Sequence, residues 1–258
     1  MSAPVFIHPD AAHWEQGQMV TLAGPEGRHA VTVQRRRVGE RIDLVDGRGT
    51  RAHTVVESVG AGHLVARVES VVTEPEPAVV VVQALAKGGR DEQAVESATE
   101  LGVTRVIPWA ADRAIVQWRG PKADKGRAAW QDLAVAATKQ SRRATIPTVD
   151  GVHTSAQLAQ AIAAAVAKGA VVLLLHEDAT TALATLTWDN PTVEVWVVVG
   201  PEGGIGDAER DRLTAAGATP VVLGPHVLRA SSAGPAALAA LAALRGHWDA
   251  PREATPLG

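Results

Sequence analysis

Two rhythms of apolar and polar residues divide the chain. Over residues 1 to 73 the apolar positions come in short stretches, Val5–Ile7, Arg41–Val45, His53–Val59 and His63–Val72, separated by the turn residues Asp46-Gly47 and Gly60-Ala61-Gly62. Brief runs bounded by turn chemistry predict strands, and one helix is predicted among them, from about Arg28 to Arg37. The segment Thr73-Glu74-Pro75-Glu76-Pro77 breaks all periodicity, so residues 74–78 read as an extended linker.

Beyond it the rhythm changes. Val79–Leu85 is continuously apolar; Asp91–Leu101 then spaces Val95, Ala98 and Leu101 along one helical face, and Gly102 closes it. The alternation continues as strand Val103–Trp109, helices Lys122–Gln140 and Ser155–Ala167, strands Ala170–Leu175 and Val193–Val199, helix Asp207–Ala216, strand Pro220–Leu223 and helix Ser232–Arg245. Unbroken apolar strands alternating with helices predict an α/β domain, residues 79–248, around a largely parallel sheet covered on both faces. Residues 249–258 carry few apolar side chains and read as a flexible tail.

Composition sharpens this picture. With 258 residues, 46% of them hydrophobic, the chain can fill two cores. The absence of cysteine excludes disulfides, a thiol nucleophile and thiolate metal sites, and no metal is expected. The start, MSAPVFIHPD, has no basic leader with an apolar core, and Lys168 interrupts the long apolar stretch at 161–175, so a soluble, cytoplasmic protein without a membrane partner is expected. The net charge of -3 conceals two basic stretches. One contains Arg28, Arg35, Arg36, Arg37, Arg41, Arg48 and Arg51; the other contains Arg119, Lys122, Lys125, Arg127, Lys139, Arg142 and Arg143. Either suits a phosphate backbone. The seven tryptophans read as core, with Trp196 in a buried strand the clearest case.

The stretch VVVGPEGGIGDAE, residues 197–209, asks what its four glycines are for. A strand, glycine turn and helix start often cradle phosphate, but a Walker loop needs lysine and a hydroxyl after the last glycine, and the spacing is not G-x-G-x-x-G. Glu202, Asp207 and Glu209 would also repel an anion. The turn favours close approach by a neutral or cationic group, and Asp207 reads as the N-cap of the following helix. A second Gly-Pro turn follows the next strand, in VVLGPHVLRASSA, and the strand ending at Leu175-His176-Glu177 supplies a third corner. Strand ends in α/β sheets are where ligands bind.

In this order, LLLHED, GPEGG and LGPHVLRASSA, preceded by KGGRDEQAVESATELGV and KQSRRATIP, make the chain resemble the ribosomal small subunit methyltransferase E family. The stretch HAVTVQRRRVGERIDLVDGRG is similar to that family's amino-terminal segment, so the resemblance covers nearly the whole chain. It implies a PUA-like RNA-binding β-barrel over residues 1–73, and a SPOUT-class domain over 79–248 with a deep trefoil knot. It further implies a homodimer that uses S-adenosyl-L-methionine to methylate N3 of a uridine in 16S rRNA within the small ribosomal subunit.

Carried over by position, the cofactor-binding residues are Leu175, His176 and Glu177, then Gly200, Pro201, Glu202, Gly203 and Gly204, then Leu223, Gly224, Val227, Leu228, Arg229 and Ala233. Arg229 is the catalytic candidate, donating to a uracil carbonyl oxygen. Arg28, Arg35, Arg36 and Arg37 from one domain and Arg142 and Arg143 from the other are the candidate RNA contacts. Many members have Leu-Arg-Thr-Glu-Thr-Ala where this chain has Leu228-Arg229-Ala230-Ser231-Ser232-Ala233, so an acid is missing; the family's Val-Leu-Arg also becomes Val33-Gln34-Arg35. No side chain stands out as the base: the serines are poor acceptors, His226 is expected to be exposed, and His176 reads equally well as structural. Alternatives are ribose 2'-O methylation, a nicotinamide-dependent oxidoreductase and a non-catalytic RNA-binding assembly factor.

Overall fold

The computed structural model describes residues 3–249, so most of the expected tail lies outside the described residues. The chain forms two compact units. Among the described residues, the first holds residues 3–76 together with Thr138–Ile146; the second holds Pro77–Ala137 and residues 147–249. The boundary falls within the expected linker, but the first unit is discontinuous, which no local pattern announced.

The first unit is built on strands β1 (Val5–Ile7), β2 (Met19–Leu22), β3 (Arg41–Val45), β4 (Thr50–Gly60) and β5 (His63–Thr73). They form one sheet in the order β1-β3-β4-β5-β2, with β1 parallel to β3 and the other pairs antiparallel. Phe6, Leu22, Ile42, Leu44, Val56 and Leu64 make its core. The expected helix begins earlier and ends earlier: α1 spans Gly24–Arg28 and continues as a π-helical turn, His29–Val33. Pro25 and Glu26 in the first turn are the start signal.

The second unit carries β6 (Val79–Ala84), α2 (Arg90–Glu100), β7 (Arg105–Ala110), α3 (Pro121–Ser141, its last turn grouped with the first unit), β8 (Thr148–Val149), β9 (His153–Thr154), α4 (Ser155–Val166), β10 (Val171–Leu175), β11 (Val195–Val199), α5 (Asp207–Ala215), β12 (Thr219–Val221) and α6 (Ala230–Leu244). The sheet runs β12-β10-β11-β6-β7-β8, with β9 also on β7, and every pairing is parallel.

Side chains alternate across it. Val79, Val81, Val195, Val197 and Val199 pack with Val95 and Ala98 of α2 and with Ala237, Leu238 and Leu241 of α6. Val80, Val82, Ala84, Trp196 and Val198 pack with Leu158, Ile162 and Ala165 of α4 and Leu213 of α5. Burying each such valine or leucine contributes roughly 1.5–3 kcal/mol, which is why these strands carry no polar face. Trp109, Trp130 and Trp196 are buried, whereas Trp248 is exposed.

Two glycines set close approaches. Gly102, at φ +97°, ends α2 in a conformation that side chains resist. Gly234 lets α6 lie against β11, because a Cβ there would stand 3.3 Å from a methyl of Val199.

Candidate active site

The order in which strands are added reverses at β6. The chain leaves it for β7 on one side, while β11 is its neighbour on the other, so the turns at the carboxyl ends of β6 and β11 lie side by side. Such a switch point opens a crevice between loops, the usual ligand position in parallel sheets.

The turn after β11 is closed by its own protein neighbours. A Cβ on Gly200 would stand 2.6 Å from Cγ1 of Ile205, and one on Gly203 would stand 3.2 Å from both Cβ and the carbonyl oxygen of Arg113. Gly204 adopts φ +71°, and its amide donates to the Pro201 carbonyl at 2.9 Å. Pro201 is buried.

Glu202 reaches back across the crevice. Its Oε1 accepts from Nη1 of Arg90 at 2.9 Å and from the Lys87 amide at 3.3 Å. Desolvation opposes ionisation of Glu202, but its own amide, Arg90 and the Lys87 amide together hold the carboxyl below the ordinary carboxylate range. Beneath the β6 turn, Asp91 behaves oppositely: burial, with a small contribution from the negative charge of Glu202, pushes its carboxyl up although the Ala86 amide donates to it at 3.0 Å.

The turns after β10 and β12 complete the edge. The His176 amide donates to the Val221 carbonyl at 3.0 Å, and its ring Nδ1 accepts from the Asp178 amide at 3.2 Å, so the imidazole braces a local turn. Leu175 and Leu223 are half-buried against the core, and Glu177 is exposed. At Gly224 a Cβ would meet no protein atom within 4 Å. Val227, 78% exposed, and Leu228 turn apolar side chains outward beside it.

Arg229 caps α6 through its backbone, its carbonyl accepting from the Ser232 and Ala233 amides at 2.8 and 2.9 Å. Its side chain is exposed and forms no ion pair among the described residues. Ser231 is buried in the first turn of α6, Ser232 and His226 are exposed, and Ala233 is half-buried.

Some sequence expectations are corrected here. Asp207 is not the N-cap of α5: Gly206 holds that place, and exposed Asp207 pairs with Arg210 at 3.0 Å. Helix α6 starts at Ala230, two residues before the expected start. Sequence reasoning also passed over Arg90 and Arg113, and took Glu209 only as an acid unfavourable to an anion. Arg90 stood in the quoted KGGRDEQ stretch, whereas nothing local marks Arg113.

The candidate RNA contacts belong to the first unit. Arg28, Arg35 and Arg37 are exposed, and Arg36 is half-buried with Glu40 3.4 Å away. Arg142 and Arg143 belong to this unit rather than to the α/β unit. Arg143 is 8% exposed and its guanidinium binds Glu76, so it is a structural ion pair, not an open cation. Arg51, counted among the basic residues, is likewise buried, donating to Asp43 at 2.9 Å, to Glu74 and to the Arg142 carbonyl at 2.8 Å. Arg35 and Arg142 have φ +54° and +58°, the two positive values at non-glycine positions among the described residues.

Comparison with known proteins is consistent with this architecture. An RNA methyltransferase domain model matches residues 73–242, and an RNA methyltransferase PUA domain model matches residues 22–69. A Mycobacterium bovis protein named ribosomal RNA small subunit methyltransferase E is 45% identical over 238 residues, covering 92% of this chain and 90% of that one. The Bacillus subtilis protein of the same name is 29% identical, covering 92% and 94%. A Neisseria gonorrhoeae protein of that name, crystallised bound to S-adenosyl methionine, superimposes with TM-score 0.81 at 28% identity, covering 94% and 98%. Among the described residues no helix is long and apolar enough to cross a membrane, and no cluster of three or more histidines and acids is placed to hold a metal.

Proposed function

Because the chain belongs to the ribosomal RNA small subunit methyltransferase E family, we propose that it methylates N3 of a uridine in 16S rRNA with S-adenosylmethionine bound at the turns after β10, β11 and β12. The observation that carries this reading is the convergence of those three turns at one edge of a parallel sheet, beside the switch point, with Gly224 open and Arg229 free of acidic partners.

The residues fit an adenosyl sulfonium compound. Leu175 and Leu223 offer half-buried apolar surface, Gly224 admits close backbone approach, and exposed Glu177 adds acidic character where a nucleotide diphosphate would require cations. When bound, that cofactor supplies an electrophilic methyl group.

The chain's own contribution is to position and stabilise. Holding the two reactants in line accounts for roughly 7–11 kcal/mol in well-oriented systems. As N3 loses its proton, negative charge spreads onto the flanking carbonyl oxygens, and Arg229 donates there from a fixed helix start. Ser231 is buried and Ser232 is a poor acceptor, so neither serine is assigned as the base. The uracil must be unpaired to reach this edge.

On this reading the first unit holds RNA through Arg28, Arg35, Arg36, Arg37 and Arg142 by backbone charge. The family resemblance further supports a knotted second unit and a homodimer acting in the cytoplasm. The test is to incubate the protein with methyl-labelled S-adenosylmethionine and either free 16S rRNA or assembled small subunits, then map the modified base. Label at uracil N3 is expected; label on a ribose would replace this reading with 2'-O methylation, and no label with an assembly factor.

A further inference from the structure

We propose that Arg113, held by a buried network centred on Glu209, is a positioning residue that keeps the glycine turn after β11 in its cofactor-accepting shape. The inference rests on the placement of S-adenosylmethionine at that turn. The loop after β7 touches both ends of the glycine segment through two consecutive residues. At one end, Arg113 lies over Gly203, whose missing Cβ leaves room for it, and its Nη1 donates to the Gly203 carbonyl at 3.3 Å. Its guanidinium also runs along Gly206, 3.6 Å from where a Cβ would stand. A side chain at 203 or 206 would meet this arginine, so those glycines accommodate a protein group as well as any ligand.

At the other end stands Glu209, in the first turn of α5 and 1% exposed. Its Oε1 accepts from the Asp112 amide at 2.9 Å and from the Ser155 hydroxyl, whose oxygen accepts from Nε1 of Trp109 at 3.1 Å. The second oxygen, Oε2, is buried without a hydrogen-bond partner. Leaving it so is unfavourable, and a hydrophobic residue of similar volume would avoid that cost. What the acid provides is a fixed Asp112 amide. Asp112 being fixed, the next residue has one place to go, and its side chain is laid across the turn. The network therefore links β7, α4 and α5 to the geometry of Gly203 through Gly206.

The test measures adenosylhomocysteine binding by calorimetry, and steady-state kinetics with S-adenosylmethionine and small ribosomal subunits, on the full chain. Arg113→Ala and Glu209→Ala are each expected to weaken cofactor binding about tenfold, as loss of a single positioning hydrogen bond does. KM for the cofactor should rise with them, while KM for RNA stays unchanged. Glu209→Gln retains the oxygen that accepts from Asp112 and Ser155, and Arg113→Lys retains the stem over Gly203, so both should recover most of the affinity. Should Glu209→Ala fail to fold, Arg113→Ala, a change at an exposed side chain, decides alone. Normal cofactor binding by Arg113→Ala, or a rise confined to KM for RNA, overturns the proposal. Gly224→Val, which projects a side chain into open space at the third turn, separates the two readings. If it too binds cofactor normally, the cofactor site is misplaced; if it alone binds weakly, the positioning role is refuted.

Discussion

Glu202 at the tip of the glycine turn and Arg90 at the first residue of α2 are joined by a 2.9 Å ion pair across 112 residues of sequence. The pair ties the turn after β11 to the turn after β6.

That pair has a pH signature. Glu202 titrates below the ordinary carboxylate range in the folded protein, so its ionised form favours folding. This contribution is present above the unfolded value and is lost as pH falls through the depressed folded value. Glu202→Gln and Arg90→Gln should each flatten the acid limb of stability, measured by urea unfolding across the acid range. An unchanged limb in both variants would mean that the pair adds nothing in solution.

Arg229→Ala should lower turnover by about 100- to 1,000-fold, the usual loss for one preorganised donor, while adenosylhomocysteine affinity changes little. The carbonyl that caps α6 is backbone and survives the substitution. A variant with wild-type turnover would remove Arg229 from the chemistry.

Arg35 and Arg142 occupy left-handed backbone that glycine adopts without cost, which disfavours an arginine by about 1–2 kcal/mol. Arg35→Gly should therefore raise the melting temperature while weakening RNA binding and shallowing its salt dependence. Gain in stability with RNA affinity intact would show that the Arg35 guanidinium faces no phosphate.

Arg51→Met should cost about 3–5 kcal/mol, because it strands Asp43 and Glu74 beside an apolar side chain. The loss is expected in the first unit and can be read by hydrogen exchange at β3 and β4. Uniform loss across both units would contradict it.

Much of the second unit was legible because its strands are apolar on both faces; Val79–Ala84 and Val195–Val199 admit no other reading. Strand β2 escaped notice because only Val20 and Leu22 mark its buried side, and β8 and β9 have two residues each. The first helix was placed too late because Arg35 ends it by backbone conformation, which an arginine does not advertise. Asp207 looked like a cap by residue type, but Gly206 already occupies that turn. Two of the three candidate turns could be found from the Gly-Pro pairs at their strand ends, and the third from the end of an apolar strand at Leu175-His176. Arg113 could not, since its partner Gly203 lies 90 residues away and the contact exists only once the sheet has formed.

The grouping of Thr138–Ile146 with the amino-terminal unit has a consequence for how the protein is made. Val5 and Val45 pack around Ala144, and Arg51 needs the Arg142 carbonyl. During synthesis, the first seventy-six residues therefore emerge with the main core of their sheet complete but with a second, smaller cluster and one acceptor of a buried cation still missing, to be supplied by a stretch translated long afterwards.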